Sequence, residues 1–170
     1  FLGLTALAPA QSLDTLLDRG GFSRAERTDI TRTFTAAREA GIPEEILLPR
    51  LAEGIAKNVP AARVAASLRR EIARLLEAEA VLLEVEAAEL LESSATWARA
   101  ANLLDAGLEE QSLQELALAT VDAPEHFRPA STLLVSLRDW GLDEDDATAL
   151  ATAAASSPLI GFRSLCTFPL

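Results

Sequence analysis

The chain has 170 residues, of which 49% are hydrophobic, 24% charged and 5% aromatic, and this composition excludes a disordered or fibrous protein. Fifteen basic against 26 acidic residues give a net charge of −11, which argues against nucleic acid as a partner. Leu and Ala dominate the apolar residues, whereas Gly and Pro number only eight each, so we expect an all-α fold.

The charge is distributed unevenly along the chain. Residues 11–74 carry 11 basic and 9 acidic side chains, whereas residues 75–170 carry 4 basic and 17 acidic ones. An asymmetry of this kind can orient a protein partner or promote head-to-tail self-association. Scattered charges are more often only a solvated surface without a partner.

The first ten residues are apolar and end in small side chains at Ala8 and Ala10. This pattern resembles the end of a secretory signal peptide. We therefore expect residues 1–10 to be a signal-peptide remnant on a bacterial protein that is periplasmic or secreted. A short apolar arm on a cytoplasmic protein is the alternative. Residues 11–170 predict a single helical domain without a transmembrane segment, because they lack an apolar run of about 18 residues.

Helix starts and ends are marked clearly in the first part of the chain. Ser12 can cap a first helix that ends at Gly20. Ser23 and Glu26 have the spacing of a capping box, in which each side chain accepts a hydrogen bond from the other's backbone. They predict a second helix that ends at Gly41.

A third helix is predicted to start after Pro43, since proline suits the first turn of a helix. Proline deeper in a helix removes a hydrogen bond and clashes with the preceding turn. Pro49 therefore predicts a short turn through Leu48, followed by a separate or kinked piece up to Lys57. Residues 58–60 break the chain again.

Residues 61–106 contain neither Gly nor Pro and predict the longest helix, at the centre of the fold. Apolar residues recur there every three or four positions, and a second row widens the apolar stripe. Residues 92–96 are the weakest part because Ser and Thr compete for backbone hydrogen bonds, so we expect a break there into two antiparallel helices. The first row is Leu68, Ile72, Leu76, Ala80, Leu83, Ala87 and Leu90, and the second is Leu75, Leu82 and Leu91.

Residues 41–44, 107–110 and 141–144 share a glycine, a hydrophobic residue, a polar or proline position and a glutamate. Each set predicts a helix that ends with glycine in the left-handed conformation and a next helix that starts at once. We therefore predict a bundle of short helical hairpins around one long central helix. The spacing of about 66 residues between the first two sets suggests two loosely repeated halves.

Side chains suited to catalysis are scarce. The chain has one His, one Cys and no Tyr, and it lacks a glycine-rich phosphate loop. His126 has no second or third ligand for a metal nearby in sequence, and we expect it on the surface or at a helix start. Cys166 is expected to be buried as a small apolar residue. The sequence therefore predicts a protein that is not an enzyme, with no metal and no cofactor.

The functional hypothesis rests on the scarcity of catalytic side chains and on the predicted helical hairpins. We expect an exported, non-enzymatic protein–protein interaction or adaptor module that binds another protein in a groove between helices or along an exposed apolar strip. The alternatives are a self-assembling structural protein and a carrier of an apolar small molecule. The predicted partner-binding residues are Arg69, Arg70 and Arg74.

Overall fold

The computed structural model describes residues 12–157, and all regular elements in this range are helical, which confirms the predicted all-α class. The α-helices are α1 (Leu13–Arg19), α2 (Arg24–Glu39), α3 (Glu44–Ala56), α4 (Ala61–Glu84), α5 (Ser94–Asp105), α6 (Glu110–Thr120), α7 (Phe127–Asp139) and α8 (Glu144–Ala155). Short 3₁₀ helices, Ala88–Glu92 and Pro124–His126, precede α5 and α7.

The chain divides into two compact units, Phe1–Ile72 and Ala73–Leu170. The first unit contains α1, α2, α3 and the first half of α4, and the second contains the rest of α4 and α5 to α8. Among the helices between residues 12 and 157, none combines the length and the apolar character that a membrane span requires. The single domain predicted for residues 11–170 and its repeated halves stay predictions.

The first unit buries one apolar face from each of its helices. Both α1 and α2 pack against α3. Ser12 and Ser23 cap α1 and α2 as predicted, and the Glu26 carboxylate accepts a hydrogen bond from the Ser23 backbone N–H at 2.8 Å, which completes the capping box. The fully buried side chains are Leu16, Ile30, Phe34, Leu47, Leu51 and Leu68.

The third helix continues through Pro49, so the separate piece expected after this residue is wrong. The helix runs unbroken from Glu44 to Ala56, although Pro49 has no N–H to donate to the preceding turn. Leu47 and Leu51, one on each side of the proline, are fully buried. Burial of two leucines stabilises the helix by about 3–6 kcal/mol, which offsets the missing hydrogen bond.

The second unit has α8 packed against both α6 and α7. The buried face of α8 carries alanines four residues apart, and small side chains at this spacing let neighbouring helices approach closely. Trp97 on α5 is also buried, and its indole Nε1–H donates to the Leu75 carbonyl oxygen at 2.8 Å. The buried alanines are Ala147, Ala151 and Ala155, and the larger core side chains include Leu113, Leu116, Phe127 and Leu134.

The long helix ends earlier than the sequence predicts. α4 stops at Glu84, and α5 starts at Ser94 after a 3₁₀ helix. The helix ends there because Glu86 adopts a left-handed φ of 58° and the Ala87 N–H then reaches back to the Leu82 carbonyl oxygen. The break predicted at residues 92–96 therefore marks only the start of α5.

In the second half of α4, the residues of the second predicted row are buried and those of the first row are exposed, although Leu68, Ala87 and Leu90 of the first row are buried outside this half. Leu75 and Leu82 are fully buried, whereas Leu76 is 37% exposed and Leu83 is 49% exposed. Both rows satisfy the helical period, since residues seven apart return to the same face. Packing alone therefore selects the row that faces inward.

Five helix ends within residues 12–157 share one hydrogen-bond pattern, the Schellman motif. In each, a backbone N–H just after the helix donates to the carbonyl oxygen five residues earlier. Gly41, Gly107 and Gly141 take the left-handed conformation in three of them, as predicted, and Asn58 and Glu86 do so in the other two. The five bonds are Ile42 to Ala37, Val59 to Gly54, Ala87 to Leu82, Leu108 to Leu103 and Leu142 to Leu137.

Candidate interaction surfaces

One end of the second unit collects acidic side chains from two adjacent corners. The corner between α5 and α6 contributes Glu109 and Glu110, and the corner between α7 and α8 contributes residues 143–146. Carboxylates are favoured there because both corners lead into the positive end of a helix dipole. The corners are joined directly, since the Glu109 backbone N–H donates to Glu144 Oε1 at 2.7 Å.

Arg138 is the cation that ties these two corners together. Its Nη2 lies 3.3 Å from Glu144 Oε2 and donates to the Gly107 carbonyl oxygen at 3.4 Å. The guanidinium is therefore engaged inside the unit. We use the term acidic end for the exposed carboxylates around it, on Glu109, Glu110, Asp139, Asp143, Asp145 and Asp146.

Trp140 lies beside the acidic end and is 77% exposed, the highest value among the large hydrophobic residues between 12 and 157. It follows the last turn of α7, whose final buried apolar residue is Leu137, and it precedes the corner glycine Gly141. The indole therefore extends beyond the packed part of the helix. Asp139 and Asp143 flank it in the sequence.

A groove of about 390 Å³ lies elsewhere on the second unit, between the end of α6 and the end of α8. Leu118, which is 56% exposed, and His126 are among its lining residues. His126 lies at the start of α7, one of the two places expected for it, and its Nδ1 is 3.1 Å from the Ala155 carbonyl oxygen. This contact gives His126 a structural role.

The first unit contains a smaller cavity of about 230 Å³ between the end of α3 and the start of α4. Its floor is apolar, because Gly54, Val59 and Val64 meet there. A Cβ on Gly54 would lie 2.8 Å from Val64 Cγ2, so the glycine lets the two helices touch. We call this cavity the basic cleft, since its remaining lining residues are Arg50, Glu53, Lys57, Arg63 and Ser67.

Glu53 is the acidic residue of the basic cleft and is bound by two of its cations. Glu53 Oε1 lies 2.6 Å from Lys57 Nζ, and Oε2 lies 3.1 Å from Arg50 Nη1. These hydrogen bonds, the one from Lys57 first, hold the pKa of the Glu53 carboxyl below its ordinary value of 4.5. The cleft thus already binds one carboxylate, which the protein itself provides.

The three predicted partner-binding residues differ in their surroundings. Arg69 is exposed, and its Nη1 lies 3.4 Å from Asp29 Oδ2 on α2. Arg70 is exposed as well. Arg74 forms an ion pair with Asp105 at the end of α5, and its side chain is only 16% exposed. Arg74 therefore has a structural partner inside the second unit, and partner binding by the three arginines stays a prediction.

The described residues contain no group of three or more His, Cys, Asp or Glu side chains that could hold a metal ion. Cys166 and the signal-peptide remnant predicted for residues 1–10 lie outside the described residues.

Sequence reasoning missed both Trp140 and the basic cleft as candidate surfaces. For Trp140 a signal exists, because an aromatic residue directly before a corner glycine lies beyond the last packed turn of its helix. For the cleft the signal is weaker. Residues 53–60 are recognisable as a helix end, but only the packing of α3 on α4 brings Arg63 and Val64 to the same cavity.

No family model, curated protein or solved structure matches this chain. The assignment of a function therefore depends on the geometry of its surfaces.

Proposed function

We propose that the protein is a non-enzymatic interaction module that binds a basic segment of another protein through the acidic end and Trp140. The observation that carries the proposal is a tryptophan that is 77% exposed and lies directly after Asp139, at one of the two corners that carry the exposed carboxylates. Tryptophan is enriched among the residues that dominate binding energy at protein interfaces. Its ring face also attracts Lys and Arg side chains.

The charge of the acidic end supports a cationic partner in particular. Arg138 is engaged with Glu144 and the Gly107 carbonyl oxygen, so it leaves most of the surrounding negative charge uncompensated. A cluster of carboxylates accelerates association with a basic partner and repels acidic ones. Binding through this surface should weaken as ionic strength rises, because the Debye length shrinks from about 10 Å at 0.1 M salt to about 3 Å at 1 M.

Self-assembly is the second candidate, and the charge asymmetry favours it. Residues 11–74 carry a slight excess of basic side chains, whereas residues 75–170 carry 17 acidic and 4 basic ones. A second copy could therefore supply the basic segment. Such a head-to-tail contact uses two different surfaces and builds rings or filaments.

A photo-crosslinking amino acid with an aromatic side chain at position 140, which keeps a ring in place of the indole, tests the proposal, with position 118 as the matched control. Leu118 is also exposed, at 56%, but it lies at the other end of α6. We expect an adduct from position 140 only, and a basic sequence around the crosslinked site of the partner. An adduct of two copies of this chain would establish the second candidate. An acidic partner, or equal crosslinking from both positions, would contradict the role of the acidic end.

A purified partner then allows the contribution of the indole to be measured. Trp140→Ala should weaken binding by about 30-fold, the equivalent of the 2 kcal/mol typical of such residues, whereas Leu118→Ala should change it by less than about twofold.

Export is part of the same proposal. Amino-terminal sequencing of the protein from its source is expected to start at Gln11.

A further inference from the structure

We propose that the basic cleft is a binding site for a carboxylate attached to a small, branched apolar group. This site lies in the first unit and is separate from the surface assigned to the protein partner. Its lining residues all belong to the end of α3, the start of α4 and the corner between them. The inference therefore stands whether or not the acidic end binds a basic protein.

The size and the floor of the cleft define the apolar part of the ligand. At about 230 Å³, the cavity is smaller than the roughly 300–1,000 Å³ of pockets for drug-sized ligands. Gly54 contributes no side chain, and the methyl groups of Val59 and Val64 form the rest of the floor. Val64 is itself buried and Val59 is half-buried, so a group of a few carbon atoms would mainly cover Val59 and remove its methyl groups from water.

The charges of the cleft define the polar part of the ligand. Arg50, Lys57 and Arg63 contribute three positive charges. Two negative charges oppose them, one from Glu53 in the lining and one from Glu71, whose Oε2 lies 4.0 Å from Arg50 Nη2. Arg63 lies on the first turn of α4, a turn without acidic residues where the helix dipole adds positive potential. An anion that enters between α3 and α4 therefore meets an excess of positive charge.

Glu53 indicates that the anion is a carboxylate. Its own carboxylate lies within hydrogen-bond distance of Lys57 Nζ and Arg50 Nη1, and planar carboxylates match the paired donors of a guanidinium group. Inorganic phosphate carries no apolar group to cover the floor. Glu53 thus competes with the ligand for the same cations, and removing its charge should strengthen binding.

The test is a titration of the ¹⁵N-labelled full chain at low ionic strength, with the backbone amide shifts of Gly54 and Val64 as the readout. The probes are isovalerate, acetate and inorganic phosphate. We expect saturable shifts with isovalerate, at least about fivefold weaker binding of acetate because it lacks the branched group, and no saturable shift with phosphate. Equal affinity for phosphate and isovalerate would overturn the proposal.

Three variants test whether the amide shifts arise from binding in the basic cleft. Arg63→Ala should weaken isovalerate binding by about tenfold, and Glu53→Gln should strengthen it by at least about threefold. Arg24→Ala removes an exposed arginine of the same unit outside the cleft and should change the affinity by less than about twofold. Equal effects of Arg63→Ala and Arg24→Ala, or weaker binding by Glu53→Gln, would refute the site.

The source of the carboxylate is distinguished by a peptide that ends in valine, with either a free carboxylate or an amide. Tighter binding of the free-acid peptide than of isovalerate, with no binding of the amide, would identify the carboxyl terminus of a protein as the ligand. Equal affinities of peptide and isovalerate would identify a free small molecule. Binding of the amide as tight as that of the acid would contradict recognition of the carboxylate.

Discussion

Gly54→Ala is expected to destabilise the protein, although alanine is the better helix former. Gly54 lies within α3, where alanine is favoured over glycine by about 0.8–1 kcal/mol. The new Cβ would lie 2.8 Å from Val64 Cγ2, about 0.7 Å closer than the shortest optimal carbon contact of about 3.5 Å. Val64 is only 2% exposed, and its branched side chain is stiff at χ1, so it cannot move aside freely.

Overpacking of this kind costs about 1–3 kcal/mol. After the gain in helix propensity is subtracted, we expect a net loss of about 1 kcal/mol, which lowers the Tm by about 2–4 °C in a chain of this length. The assay is thermal and urea unfolding followed by circular dichroism at the helix band, with the wild type and the variant measured side by side.

Val64→Ala provides the matched background. By itself it removes two buried methyl groups and should cost about 2 kcal/mol. It also removes the clash, because the Cβ that remains at position 64 would lie 3.7 Å from a Cβ on residue 54, an ordinary contact. In this background Gly54→Ala should become stabilising, by about 0.8–1 kcal/mol. A destabilisation of the same size in both backgrounds, or a stabilisation in the wild type, would refute the reasoning.

Three further predictions concern the helix ends, the buried indole and pH. Glu86→Gly should stabilise the protein by about 0.5–1 kcal/mol in urea unfolding. A residue with a side chain costs about 1–2 kcal/mol in the left-handed conformation, and the greater entropy of glycine in the unfolded chain cancels only part of this gain. A loss of stability would contradict the strain at φ 58°. Trp97→Phe should lower the free energy of unfolding by about 2 kcal/mol in the same assay, since it removes the hydrogen bond to the Leu75 carbonyl oxygen and leaves a cavity. The exposed control Trp140→Phe should change the free energy of unfolding by less than about 0.5 kcal/mol. The lowered pKa of Glu53 implies that its carboxylate stabilises the folded state above pH 4.5 and that this contribution is lost as the pH falls through the lower, folded-state value. Unfolding of the wild type and Glu53→Gln should therefore differ at pH 7 and converge at strongly acidic pH, and a difference that persists in acid would exclude the ionic contribution.

The helix starts and the glycine corners are predictable because their signals are local. Ser12 and Ser23 act on backbone groups only three residues away, so no distant packing can change their role. The same holds for the corner at Gly107, where the left-handed conformation depends on the absence of a Cβ.

Prediction fails where packing overrides a local preference. Pro49 should interrupt a helix, but the buried leucines on both sides keep α3 continuous. Glu86 carries no glycine signal, so the sequence predicts the end of α4 too late. The candidate surfaces are harder to predict, because each depends on contacts between distant parts of the chain. The basic cleft joins residues of two helices, and the acidic end joins two corners through the contacts of Glu144 with Glu109 and of Arg138 with Gly107.

The five Schellman corners also bear on how the chain folds. Each closes with hydrogen bonds between residues three and five positions apart, so a corner can form before any distant part of the chain arrives. Contacts this local carry little loop-closure entropy and are typical of proteins that fold in microseconds to milliseconds. Two corners must place Asn58 and Glu86 in a conformation that glycine adopts more readily. Before their helices dock, these two corners are therefore expected to be formed in a smaller fraction of the chains than the glycine corners, most of all the corner at Glu86.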